Sequence, residues 1–212
     1  MCIICVSAAG VSQPTHDQIK IMFDRNPHGA GYMVARKNRV EIHKGFMELE
    51  DLQRQLEREN FTADDVVVYH FRISTQAGVK ETMTHPFPLT SNLAHCEALD
   101  LTCACGVAHN GVIRLTSNGS TRYSDTALFI TQYMTKVVRR TSDLQDPAVL
   151  RILEELAKSK LAILDKTGQV ATVGSFIHEK NGLLFSNATY REFTSPFGNL
   201  SRYPAFALRG GV

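Results

Sequence analysis

The chain has 212 residues, 43% of them hydrophobic and 21% charged, with a formal net charge of +2. That length suits one domain with a substantial buried core, and that composition is ordinary for a soluble globular protein. The near-balanced charge, with no Lys/Arg run interleaved with aromatics, gives no case for nucleic acid, and no apolar stretch approaches the roughly 18 residues of a membrane span.

Residues 2 to 8 read as a strand apolar on both faces, the mark of a sheet held between layers. Gly10 and Pro14 make a turn, and Thr15 with Gln18 forms a capping box ahead of the helical stripe Ile19, Met22 and Phe23. The loop Asn26-Pro27-His28-Gly29-Ala30-Gly31 carries two glycines that let backbones come close. Tyr32 to Ala35 and Val40 to His43 read as a hairpin around Lys37-Asn38. A second helix, roughly 48 to 59, has Leu49, Leu52 and Leu56 as its buried stripe. Val66 to Arg72 is a buried strand whose terminal charge falls at the rim of a sheet. Residues 73 to 93 read as loop, and Cys103 to Ala108 as a core strand ending in His109-Asn110-Gly111.

Ser124 is the expected N-cap of a helix from about Asp125 to Arg139, with Arg139-Arg140 favouring its C-terminal dipole. Asp146-Pro147 starts a further helix with Leu150, Leu153 and Ala157 on one side. Two hairpins close the core, Leu161–Leu164 with Gln169–Val173 and Phe176–Glu179 with Leu183–Ser186. The tail has no period and reads as loop. Buried strands alternating with amphipathic helices predict an α+β fold with two sheets face to face, flanked by helices.

The five cysteines are an odd number, and no basic segment precedes the short apolar run at the start, so a reducing cytoplasmic setting is expected. Cys2 and Cys5 form a C-x-x-C, but on an unbroken apolar strand residues three apart point to opposite faces. No metal site or cofactor is expected.

Cys2 directly follows the initiator methionine. Removal of Met1 would put a thiol and a free α-amine on one residue, with reference pKa values of about 8.5 and 7.7–8.0. A nucleophile activated by an N-terminal amine is a known covalent-catalysis arrangement. Cys2, Arg72 and Asn110-Gly111 lie at strand ends, and Asp125 lies at a helix start. Taken singly each has an ordinary explanation: a small hydrophobe, a surface ion pair, a turn, a dipole partner. Jointly they describe one chemistry. Thiolate attack on an amide creates an oxyanion that the Asn110 side chain and the Gly111 N–H can stabilise. The Arg72 fork suits an α-carboxylate and Asp125 an α-ammonium. The substrate so described is a free amino acid with a side-chain amide.

These residues also resemble a known family. Met1-Cys2, His70-Phe71-Arg72-Ile73-Ser74-Thr75, Thr84-His85-Pro86-Phe87, His109-Asn110-Gly111-Val112-Ile113 and Ser124-Asp125-Thr126 are similar, in order, to the segments of the class II glutamine amidotransferases, which are N-terminal-nucleophile (Ntn) hydrolases. Asn26 to Gly31 resembles the family's glycine loop. Residues 1 to about 190 carry the resemblance and 191–212 form a tail, within one domain. The sequence departs from the pattern at Cys5, at His28 and Ala127, which stand for the usual acids, and at Gln76, where His is frequent.

The resemblance implies a four-layer αββα sandwich and a glutaminase-type amidohydrolase. Cys2 is then the nucleophile, Asn110 and Gly111 the oxyanion hole, and Arg72, Thr75, Gln76 and Asp125 the substrate pocket. It implies glutamine or a related amide as small-molecule substrate, either for a stand-alone member of the family or for the ammonia-releasing subunit of a pair whose other chain is a synthetase subunit. Two other readings stand beside it: an Ntn amidase for another γ-glutamyl amide, and a binding module that keeps the fold without the chemistry.

Overall fold

Residues 3 to 7 are apolar apart from Ser7, and the computed structural model buries all five as strand β1 (Ile3–Ser7). The structure describes residues 2–73, 79–116 and 122–191. Thr75, Gln76, Met1 and the tail from 192 onward lie outside them. β1 is buried because it has a neighbour on each side. β4 (Val67–Phe71) pairs with it antiparallel, with Ile3 opposite Phe71, and β11 (Leu184–Phe185) pairs along its other edge.

The seven-stranded sheet has the order β10-β11-β1-β4-β2-β3-β6. Here β2 is Ala30–Arg36, β3 Arg39–Phe46, β6 Asp100–Cys103 and β10 Ile177–His178. The four-stranded sheet runs β5-β7-β8-β9, with β5 Phe87–Pro88, β7 Cys105–Asn110, β8 Lys160–Asp165 and β9 Val170–Val173. Every pairing in both sheets is antiparallel.

Three apolar clusters show how these sheets stack. Ile4, Val6, Met33, Val40 and Val68 of the larger sheet meet Ala108, Ala162 and Leu164 of the smaller one. On the far side of the larger sheet, Ile3, Cys5, Tyr32 and Phe71 pack on Ile19, Met22 and Leu52 from helices α1 (His16–Arg25) and α2 (Leu49–Glu59). On the far side of the smaller sheet, Val107 and Ile163 meet α4 (Asp125–Phe129) and α6 (Pro147–Ala157) through Phe129 and Leu153. The protein is thus α+β with two antiparallel sheets and helices, an arrangement compatible with a sandwich. Truncating a fully buried residue such as Ile4 to Ala would cost about 2–5 kcal/mol. Among the described residues no helix is long and apolar enough to cross a membrane.

Local signals explain the element ends. Thr15 and Gln18 form the expected capping box, and Lys37 and Asn38 both have positive φ, which a tight two-residue hairpin turn requires. Asp146 caps α6 with Pro147 at its first position.

Three expectations change. The strand expected over 103 to 108 is divided at Ala104: β6 pairs with β3 in the large sheet, whereas β7 belongs to the small one. An apolar run cannot reveal such a change of sheet. The helix expected from Asp125 to Arg139 is interrupted by a π-helical turn at Ile130–Met134, resumes as α5 (Thr135–Val137), and ends there. Arg139 and Arg140 therefore lie beyond the helix. Their backbone N–H groups both donate to the Asp143 carboxylate at 2.9 Å. The region read as loop holds a 3-10 turn at Glu81–Met83, β5, and the short helix α3 (Leu93–Glu97).

Candidate active site

Cys2 immediately precedes β1, beside the end of β4. Its Sγ accepts the Ile73 N–H at 3.4 Å and lies 3.6 Å from the Ile73 carbonyl, to which the thiol donates. The Cys2 carbonyl accepts Asn187 Nδ2 at 2.7 Å, so the Cys2 backbone is held from the segment that follows β11. Burial raises the Cys2 thiol above its ordinary pKa, opposed by the Ile73 N–H and the nearby Arg72 charge. Cys5 leaves β1 on the other face, in the helix-facing core, and burial pushes its thiol far up.

Arg72 follows β4 and feels the charges of both Cys2 and Asp125. Burial lowers its pKa, but a guanidinium stays protonated at neutral pH. Its backbone is fixed by the glycine loop: Arg72 N–H donates to Gly29 O at 2.8 Å and Arg72 O accepts His28 N–H at 2.9 Å. The glycines serve close approach. A Cβ at Gly29 would fall 2.5 Å from Thr84 Cγ2, and one at Gly31 2.4 Å from His85 O. The glycine loop, the Arg72 segment and the Thr84–Phe87 stretch are thus packed as one unit.

Asn110 ends β7. Its Nδ2 donates to Ser186 Oγ at 2.8 Å, and the same oxygen accepts the Ile4 N–H at 2.9 Å. Ser186 N–H returns a bond to Ile4 O at 3.0 Å, and Ser186 O accepts Lys160 Nζ from β8. A fully buried serine therefore ties both sheets together near Cys2. Asn110 Oδ1 is buried without a hydrogen-bond partner among the described residues. Gly111 follows with φ of +144°, and a Cβ there would sit 2.7 Å from Ser159 Cβ.

Asp125 opens α4 after the Ser124 cap. One carboxylate oxygen accepts the Ile113 N–H at 2.7 Å and the other the Thr126 N–H at 2.8 Å. It therefore pins the loop after Asn110-Gly111 to the start of the helix. A carboxylate offers about four acceptor positions, so two backbone donors leave room for an ammonium.

Behind these groups lie three buried histidines. His70 Nε2 donates to His109 O at 2.9 Å and lies 3.1 Å from His85 Nδ1, which accepts the His109 N–H at 3.4 Å. His109 bonds Thr126 Oγ1 through Nδ1 at 2.7 Å and Ser159 Oγ through Nε2 at 2.9 Å. Since the Ser159 hydroxyl donates to Ala157 O, His109 carries its proton on Nε2 and accepts from Thr126. Burial lowers the pKa of His70 to about 3 and of His109 to about 4, and holds that of His85 well below normal. The three are neutral spacers that fix β4, β7 and α4 relative to one another.

Lys44 on β3 is a buried cation just behind the glycine loop. Its Nζ donates to Thr82 O at 2.8 Å and Cys96 O at 2.6 Å, 4.1 Å from the Phe87 ring centroid. Burial lowers its pKa to about 7, outweighing the nearby Cys96 and Glu97, which favour the charged form.

The structure thus gathers Cys2, Arg72, Asn110, Gly111 and Asp125 around the ends of β1, β4 and β7 and the start of α4. Thr75 and Gln76 lie outside the described residues. Sequence reading missed Ser186 and Asn187. Only their position at the end of a strand beside β1 marks them, and that pairing joins residues 182 apart. Compared with known proteins, the chain matches no family model and no curated protein.

Proposed function

We propose that this chain is a glutaminase-type amidohydrolase of the class II amidotransferase kind, with an Ntn hydrolase-like fold. The observation that carries this reading is the Cys2 sulfur lying against Ile73 N–H, next to Arg72, with Ser186 linking its strand to Asn110.

The chemistry balances as follows. In the processed chain the Cys2 α-amine takes the thiol proton as sulfur bonds to the amide carbon. The carbonyl oxygen becomes an oxyanion that Asn110 Nδ2 and Gly111 N–H stabilise. The C–N bond then breaks, the proton passes from the α-amine to the leaving nitrogen, and ammonia departs. Water attacks the thioester, glutamate forms, and the sulfur recovers its proton. Arg72 holds the substrate α-carboxylate and Asp125 its α-ammonium, with Thr75 and Gln76 along the pocket wall. A synthetase subunit that consumes ammonia is the partner this reaction implies, and faster turnover on adding such a subunit would reveal it.

The test is intact mass of the Met1-processed chain before and after a diazoketone analogue of glutamine, with glutamate release measured alongside. One adduct on Cys2, absent in Cys2→Ser, with glutamate formed from glutamine, is expected. An adduct without glutamine turnover would point to another γ-glutamyl amide. Neither adduct nor turnover would leave a non-catalytic module.

A further inference from the structure

A concave site lies at the end of β7 away from Asn110. It is a cleft of about 930 Å³ between the β5–β7 edge, the π-helical turn and the segment after α5. Four cations line it: Lys136, Arg139, Arg140 and Lys166. Acidic neighbours offset little of this charge. Asp143 accepts the backbone N–H groups of Arg139 and Arg140 and lies 3.6 Å from the Arg140 guanidinium. Asp165 is buried and accepts from Thr167 and Gln169. Among the described residues, Lys136, Arg139 and Lys166 form no ion pair. Concentrating positive charge in a concavity with little acid to balance it is favourable chiefly when an anion enters.

The rest of the lining is differently made. Leu89 and Val138 supply apolar surface, and Thr131 and Thr135 project from the π-helical turn and the residue after it. The Thr131 hydroxyl donates to Ala127 O at 3.0 Å and the Thr135 hydroxyl to Thr131 O at 3.1 Å. Their protons are spent inward, so toward the cleft each offers acceptor lone pairs only. Such a wall does not suit a second phosphate, but it suits the hydroxyl groups of a polyol. The π-helical turn, a feature that clusters at functional sites, is what widens the helix here.

The geometry points to a binding site for a phosphorylated sugar or polyol, with its phosphate among Lys136, Arg139, Arg140 and Lys166 and its hydroxyls on Thr131 and Thr135. The cleft volume falls within the range of small-molecule pockets and far exceeds that of a bare phosphate. Cys105 lines the cleft and Asn110 lies at the catalytic end of the same strand, about 17 Å away at 3.3–3.4 Å per residue. The site is therefore distinct from the proposed glutaminase centre and does not rest on that reading.

The test is calorimetric titration of the full chain with glucose 6-phosphate, inorganic phosphate and glucose. Saturable one-to-one binding of glucose 6-phosphate is expected, at least tenfold tighter than inorganic phosphate and weakened by added NaCl. The Arg139→Gln/Arg140→Gln pair and Lys166→Gln should each weaken it tenfold or more, whereas Asn110→Ala should leave it unchanged. Lys136→Gln supplies a further exposed variant should one of these fail to fold. Absence of binding, binding untouched by these variants, or equal affinity for inorganic phosphate would overturn the assignment.

Discussion

The side-chain amide of Asn110 and the hydroxyl of Ser186 meet at 2.8 Å, and through that contact the end of β7 is fastened to the strand carrying Cys2. If Asn110 is an oxyanion donor, Asn110→Ala should lower kcat for glutamine by about 10²–10³ while the protein stays folded. Ser186→Ala should act differently. It leaves the Ile4 N–H buried without a partner, costing about 1–3 kcal/mol of stability, and loosens Asn110, lowering kcat roughly 10- to 100-fold with KM little changed. Steady-state kinetics with urea unfolding of both variants would check this. Normal turnover by folded Asn110→Ala would remove that residue from the mechanism.

Cys2 reactivity should depend on pH in a direction set by its surroundings. Burial favours the neutral thiol, so in the chain that keeps Met1 the alkylation rate should still be rising at pH 9. Removing Met1 places an ammonium on the same residue and should move the midpoint down. Iodoacetamide labelling followed by intact mass from pH 6 to 10 measures both forms, and coincident profiles would contradict the expectation.

Gly111→Ala meets two obstacles. A φ of +144° is one that L side chains rarely adopt, and the new Cβ would lie 2.7 Å from Ser159 Cβ. The substitution should destabilise the protein by about 1–3 kcal/mol and, under the proposed mechanism, abolish most glutamine turnover by displacing the backbone N–H. Thermal unfolding and kinetics check it together. An unchanged melting temperature would show that the loop relaxes freely.

Lys44 should leave a signature on stability against pH. Its folded pKa of about 7 lies below the ordinary value of 10.5, so between these pH values the unfolded chain holds more protons. Stability from this group is present in full above pH 10.5 and is lost as pH falls through 7. Relative to Lys44→Met, the wild type should therefore gain stability as pH rises across that window, by at most about 1.4 kcal/mol per pH unit. Chemical denaturation of both proteins at pH 7, 8 and 9 reads the difference. Parallel curves would mean that Lys44 keeps its charge when buried.

What could be read from the chain follows the range of the forces involved. The Thr15–Gln18 capping box, the Lys37-Asn38 turn and Pro147 at a helix start are local, and the structure has all of them. The candidate site was legible through residues that a core does not want at element ends: Cys2, Arg72, Asn110 and Asp125. Ser186 and Asn187 were not, because an ordinary serine and asparagine gain their roles only when β11 joins β1. The division of the 100–110 run at Ala104 was equally hidden, since both halves are extended and only pairing partners distinguish them. The π-helical turn escaped for a related reason: Ile130 and Met134 keep a helical apolar stripe whether or not one extra residue fits into the turn.

The position of β1 sets an order of events during synthesis. During synthesis β1 emerges well before β11, so it lacks its second neighbour until Leu184–Phe185 emerge, and Cys2 lacks its carbonyl anchor until Asn187. A nascent chain therefore exposes a reactive-looking thiol with nothing to aim it. The contacts around Cys2 are thus completed only by a bond that spans 185 positions of the chain.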